Sequence, residues 1–177
     1  MPVAELIDRR AVLRIGAASF ASVAFNRLAA AQEAALSSRP TQFQIACMTL
    51  PYRLYPFERA LQGIQSAGYE FVAWGTTHRA AGETQDTPLL PKDASPKEAK
   101  TLADRCRDLG LTPLMMFSEI YPEAPDAVAV LTDRIRQASA AGVPQVLTFG
   151  HSEGASRRLW VERLRALGGI ARDCGVT

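Results

Sequence analysis

The sequence is short of the residues that would mark it outright. Its three cysteines, Cys47, Cys106 and Cys174, are odd in number and far apart. That excludes a disulfide framework and a CxxC metal knuckle, and buried free thiols are the expectation. There are two histidines in 177 residues. No G-x-G-x-x-G, P-loop or H-E-x-x-H motif occurs, so the most specific signatures for nucleotide and zinc chemistry are missing. The formal net charge is only +2. Four arginines (Arg9, Arg10, Arg14, Arg27) against two acids (Glu5, Asp8) fall within the first 31 residues, and beyond them acids and bases balance. No basic field is left to hold nucleic acid.

What is present begins at the N-terminus. Arg9-Arg10 stands before the apolar stretch Ile15–Phe25, and Leu28-Ala29-Ala30-Ala31-Gln32 supplies small residues for cleavage after Ala31. A basic start, a short apolar middle and an A-x-A end describe a secretory signal. The paired arginines resemble a twin-arginine signal, so residues 1–31 read as a Tat-like leader, 32–41 as a linker, and the mature protein as periplasmic or exported. An amphipathic N-terminal helix of a cytosolic protein is the alternative. The apolar stretch is shorter than the roughly 20 residues of a permanent span, and no later segment reaches that length. No membrane association is expected after cleavage.

The rest of the chain repeats. Gly68, Gly110, Gly142 and Gly175 lie 42, 32 and 33 residues apart. Each follows a helical stretch and precedes a short apolar run: Tyr69–Trp74, Leu111–Phe117, Val143–Phe149 and the terminal Val176-Thr177. Glycine just past a helix takes the left-handed conformation that ends it. A short apolar run is the signature of a buried parallel strand. One helix and one strand per period of this size is a βα repeat. With a first strand over Phe43–Leu50, the map gives four parallel strands in sequential order. The helices run over Pro56–Ala67, from Ser95-Pro96-Lys97-Glu98 (a capping box with proline at the first position) to Leu109, from Pro125-Asp126 to Ala141, and over Arg157–Cys174. The polar stretch Thr76–Asp93 reads as a long loop.

Phe43-Gln44-Ile45-Ala46-Cys47-Met48-Thr49-Leu50, then a helix ending Ala67-Gly68-Tyr69-Glu70-Phe71-Val72-Ala73-Trp74-Gly75, is similar to the opening of the xylose-isomerase-like sugar phosphate isomerase/epimerase family. The resemblance covers about residues 42–177. It implies an α/β fold of the (β/α)₈ TIM-barrel type, truncated to about four βα units. It implies a sugar-like substrate and a divalent metal (Mn, Mg, Co or Zn). The reaction would be an aldose–ketose isomerisation or epimerisation through an enediolate. In the family the metal ligands are a Glu, an Asp, a His and a Glu from the fifth to eighth strands. None of these positions lies within the chain, so an incomplete and inactive fragment is expected. An open sheet edge and unfilled inner face, to which Ile45, Val72, Met115 and Leu147 are assigned, suggest a homodimer that closes the edges. An endonuclease-IV-like metal phosphodiesterase and a non-catalytic half-barrel binding protein are the alternative readings.

Barrel chemistry sits in the loops after the strands. His78 follows the second strand, Glu119 the third and His151 the fourth. They are expected at one end of the sheet, facing a common concavity, as substrate-binding groups. Neutral imidazoles there suit substrate hydroxyls or a metal. Ordinary loop polarity is the alternative for each. Trp74, at the end of the second strand, suits stacking on a sugar ring or a place in the core. Gly150–Ser156 superficially suggests an anion loop, but a plain helix cap by Ser156 is the simpler reading.

Overall fold

The computed structural model describes residues 43–151 and 156–177. The leader, its cleavage site and the linker lie outside the described residues, as do four residues of the Gly150–Ser156 loop. Gln44–Thr177 forms one compact unit. The fold is α/β.

Among the described residues six strands and four α-helices follow in order: β1 (Ala46–Met48), α1 (Phe57–Ser66), β2 (Phe71–Trp74), β3 (Thr77–Arg79), β4 (Asp86–Pro88), α2 (Pro96–Asp108), β5 (Thr112–Phe117), α3 (Ala127–Ala141), β6 (Gln145–Leu147) and α4 (Arg157–Asp173). A single 3₁₀ turn over Leu50–Tyr52 follows β1. The main sheet is parallel, with strand order β1-β2-β5-β6. Sequential order with a helix between neighbouring strands is the barrel arrangement, not the doubly wound one.

The repeat is physical. Gly68, Gly110, Gly142 and Gly175 all carry positive φ, between 65° and 84°. At Gly142 the left-handed turn returns the amides of Gly142 and Val143 to the carbonyls of Ser139 and Ala138, which satisfies the helix end. Helix α2 opens on a complete capping box. The Ser95 amide donates to Glu98 Oε2 at 2.7 Å and the Glu98 amide to Ser95 Oγ at 3.3 Å. Helix α4 is capped by Ser156 Oγ, which accepts from the Leu159 amide; the cap reading of this serine holds. Helix α1 buries Phe57, Ala60, Leu61 and Ile64, a stripe at the helical period.

After Gly175 the chain returns to the edge of β6. Thr177 donates to the Pro144 carbonyl at 2.9 Å and accepts from the Val146 amide at 2.8 Å, the hydrogen-bond pair of a parallel ladder.

Two sequence expectations need correction. Thr76–Asp93 is not all loop, because β3 and β4 pair antiparallel, Thr77 with Pro88 and Arg79 with Asp86. Three-residue strands reading THR and DTP carry no apolar alternation by which a sequence could reveal them. Val72 is not on the inner face. It registers with Cys47 and Pro113 and belongs to the core under the helices, with no exposed surface. Successive side chains alternate between faces, so the inner row is Met48, Ala73 and Met115, with Phe117 and Leu147 beyond. Ile45 is outside β1 and exposed.

Candidate functional site

The connections that leave the C-terminal ends of the strands are tied to one another. Beyond β1, Thr49 is buried; its amide donates to the Ala73 carbonyl, and its hydroxyl accepts from the Gly75 amide at 2.8 Å. A Cβ on Gly75 would sit 2.7 Å from Leu50 backbone atoms, so the close crossing of these two segments needs glycine. Beyond β5 and β6, Ser118 donates its amide to the Leu147 carbonyl, and the Thr148 hydroxyl donates to the Ile120 carbonyl at 2.6 Å.

On this frame the four anticipated residues fall into three surroundings. Trp74 is 1% exposed. Its indole N–H donates to Cys106 Sγ of α2 at 3.3 Å, so the ring is on the helix side of β2 and packs in the core. Burial, eased by the indole N–H and nearby Arg107 and Arg105, pushes the Cys106 thiol up to about 11, which keeps it protonated. Of the two roles open to Trp74, the structure gives it the core one.

Glu119 is exposed and lines a cleft with Thr76, Leu90, Phe117 and Arg134, one wall of which is the edge of Trp74. Arg134 of α3 is 8% exposed. Its guanidinium donates to the carbonyls of Leu90 (2.7 Å) and Pro91 (3.3 Å) and to Gln137 Oε1 (2.8 Å). Burial lowers its affinity for the proton, and the Glu119 charge opposes that.

His78 is on β3, 5% exposed, its ring edge-on to Phe57. Its Nδ1 is 3.0 Å from the Tyr55 carbonyl, so Nδ1 carries the hydrogen and donates. Nε2 is buried with no partner among the described residues. Neither His78 nor His151 lines the Trp74–Glu119 cleft.

His151 is exposed in the loop after β6, its ring against Tyr121 with centroids 4.2 Å apart and planes tilted by 40°. Its amide donates to Glu123 Oε1 at 3.1 Å, and its Nδ1 lies 3.8 Å from Glu123 Oε2. Glu123 is largely buried; Oε2 has no hydrogen-bond partner among the described residues. Gly150 permits the approach, since a Cβ there would meet Trp160 Nε1 at 2.8 Å and Glu123 Oε1 at 3.2 Å. Arg163 of α4 holds the strand-to-helix loop by donating to the carbonyls of Pro122 and Ala124. Sequence reasoning missed Glu123. Its partner is 28 residues away, and Tyr121-Pro122-Glu123-Ala124-Pro125 reads as a turn.

Sequence comparison finds no matching family model and no similar curated protein. Structural comparison does find similar folds. IolI, solved with a bound zinc atom, aligns with TM-score 0.54 and 13% identity over 76% of this chain and 50% of its own. A sugar phosphate isomerase/epimerase from Parabacteroides distasonis aligns with TM-score 0.52 and 13% identity over 78% and 51%. The fold is of the TIM-barrel type, as in about half of each of these structures. An L-ribulose 3-epimerase gives TM-score 0.50 and 21% identity over 77% of this chain and 48% of its own. The chain spans about half the length of these barrels.

The donor set does not suit a metal. Among the described residues no three His, Cys, Asp or Glu side chains come close enough to hold an ion. His78 has turned into the hairpin, and among the described residues the His151–Glu123 pair has no third ligand beside it. The phosphodiesterase alternative draws no support from the placement of His78. Among the described residues no helix is long and apolar enough to cross a membrane.

Proposed function

We propose that the chain supplies the substrate-binding rim of a sugar isomerase or epimerase, with His151, oriented by Glu123 and Tyr121, as its principal sugar-facing group. The observation that carries this reading is the imidazole–carboxylate pair at the end of a parallel strand, where barrels of this shape place their chemistry. A carboxylate beside Nδ1 favours the tautomer with hydrogen on Nδ1, leaving Nε2 to accept from a sugar hydroxyl. Tyr121 beneath the ring fixes its plane and adds an apolar surface for C–H groups. Glu119, near the cleft over Arg134, is the second polar group offered to substrate.

Titration with L-ribulose, followed by NMR of the full chain, tests this. Shifts centred on Tyr121, Glu123 and His151, weakened about tenfold in affinity by Glu123→Gln, are expected, as loss of an orienting partner costs a factor of this order. Shifts confined to other regions, or none at tens of millimolar sugar, would remove the assignment.

Export through the twin-arginine route is part of the same proposal, resting on Arg9-Arg10 and the small residues before Gln32. Replacing both arginines by lysine should hold the protein in the cytoplasm. Unchanged periplasmic yield, or secreted protein still beginning at Met1 by mass spectrometry, would count against it.

A further inference from the structure

The β3–β4 hairpin has its own fastenings. The Arg79 amide donates to the Arg53 carbonyl at 2.8 Å, beyond the 3₁₀ turn that follows β1. Asp86 of β4 accepts from Arg79 at 2.9 Å and pairs with Arg53. Thr87 Oγ1 donates to the His78 carbonyl at 3.1 Å. At the centre His78 donates from Nδ1 to the Tyr55 carbonyl, with Phe57 against its ring. The links to the rest of the fold all run to the segment 53–57, and His78 is the buried one.

The second ring nitrogen decides what these links can do. Nε2 is buried and, among the described residues, nothing accepts from it. The neutral ring with hydrogen on Nδ1 leaves only a lone pair there. Protonation would place an N–H, and a positive charge, where no acceptor waits. The charged groups around it do not change the outcome. Arg53 and Arg79 repel a cation. Asp86 attracts one but is already shared between those two arginines. On α1, Glu58 is engaged by Arg105 of α2, while Arg59 stands in a groove with Tyr52 and Tyr55.

We propose that the β3–β4 hairpin is a proton-released flap on the β1–β2 side of the strand ends, latched by neutral His78 and loosened by mild acid. The latch stands on these contacts and is independent of the sugar reading above. The direction of titration agrees. Burial lowers the His78 pKa below its ordinary 6.5, against smaller opposing effects of the Tyr55 carbonyl and Asp86. The opened hairpin therefore binds the proton more readily than the closed one. The latch is complete above about pH 6.5 and is lost as pH falls below that value.

Amide exchange of the full chain at pH 7.5 and pH 5.0 tests the latch. Protection of the Arg79 and Leu89 amides, bonded to the Arg53 and Thr76 carbonyls, should fall about tenfold for each unit by which His78 is shifted. Amides of α2 and α3 should be unchanged. His78→Asn, which can still donate from the Nδ1 position and does not titrate, should abolish the pH response. Equal hairpin protection at both pH values, or the same loss in His78→Asn, would overturn the proposal. Should that variant fail to fold, the His78 Cε1 proton in the native protein decides. A titration midpoint below that of the urea-unfolded chain supports the latch, and one at or above it refutes it.

Discussion

Trp74→Ala is expected to lower stability by about 3–5 kcal/mol, the range for removing a buried aromatic ring from a packed core. The indole is 1% exposed and lies between β2 and α2, so its removal opens a cavity in the middle of the main cluster and takes away the N–H that the Cys106 sulfur accepts. Trp74→Phe keeps much of the ring volume and loses the N–H, and should cost clearly less, about 1–2 kcal/mol. Urea denaturation read by circular dichroism checks both. The comparison also separates the two roles that the sequence left open to Trp74. A residue stacked on substrate in an open mouth would give small stability changes for both substitutions.

Arg134→Met should cost about 3 kcal/mol, near the top of the range of about 1–3 kcal/mol for stranding a buried acceptor. The guanidinium is buried in α3 and reaches across to the segment joining β4 to α2. Beside it Gln137 donates to the Ala94 carbonyl at 2.6 Å. Methionine fills the stem volume but leaves the Leu90 carbonyl without that donor. Arg134→Lys should not rescue it, because a single ammonium cannot reproduce a fork that reaches two carbonyls and an amide. The damage should be local. Exchange of amides around Leu90–Ala94 should rise more than elsewhere, and a uniform rise would show that the arginine matters only through general packing.

The parts of this fold that rest on backbone chemistry were legible in the sequence. The capping box at Ser95 and Glu98 formed, and the four spaced glycines all took the left-handed turn. With the joints located, the strand order followed. The parts that rest on which face a side chain takes were not legible. Val72 and Met115 are both apolar residues in short parallel strands that are apolar on both faces, so alternation carries no polarity to read. Arg134 did leave a trace: it shares the helical stripe of Leu131, Ile135 and Ala138, and a charge on an apolar stripe signals a buried polar link. His78 and His151 were found by position in the chain, but their company was not. Tyr55, Glu123 and Tyr121 reach them from segments far away in sequence. The hairpin remained hidden because its strands are short and polar, and because its ties, the ion pairs of Arg53, Arg79 and Asp86 and the buried bond of His78, leave no periodic pattern in the sequence.

Strand order in the sheet equals order in the chain. Every main-sheet strand after the first meets a neighbour that has already been made, and none waits for one made much later. Such a topology lets structure accumulate unit by unit as the polypeptide emerges from the ribosome, and its closest pairings close loops of a few dozen residues rather than of the whole chain. The exposed growing edge moves with the newest strand. The ladder bonds between Thr177 and the Pro144–Val146 segment lie at that edge.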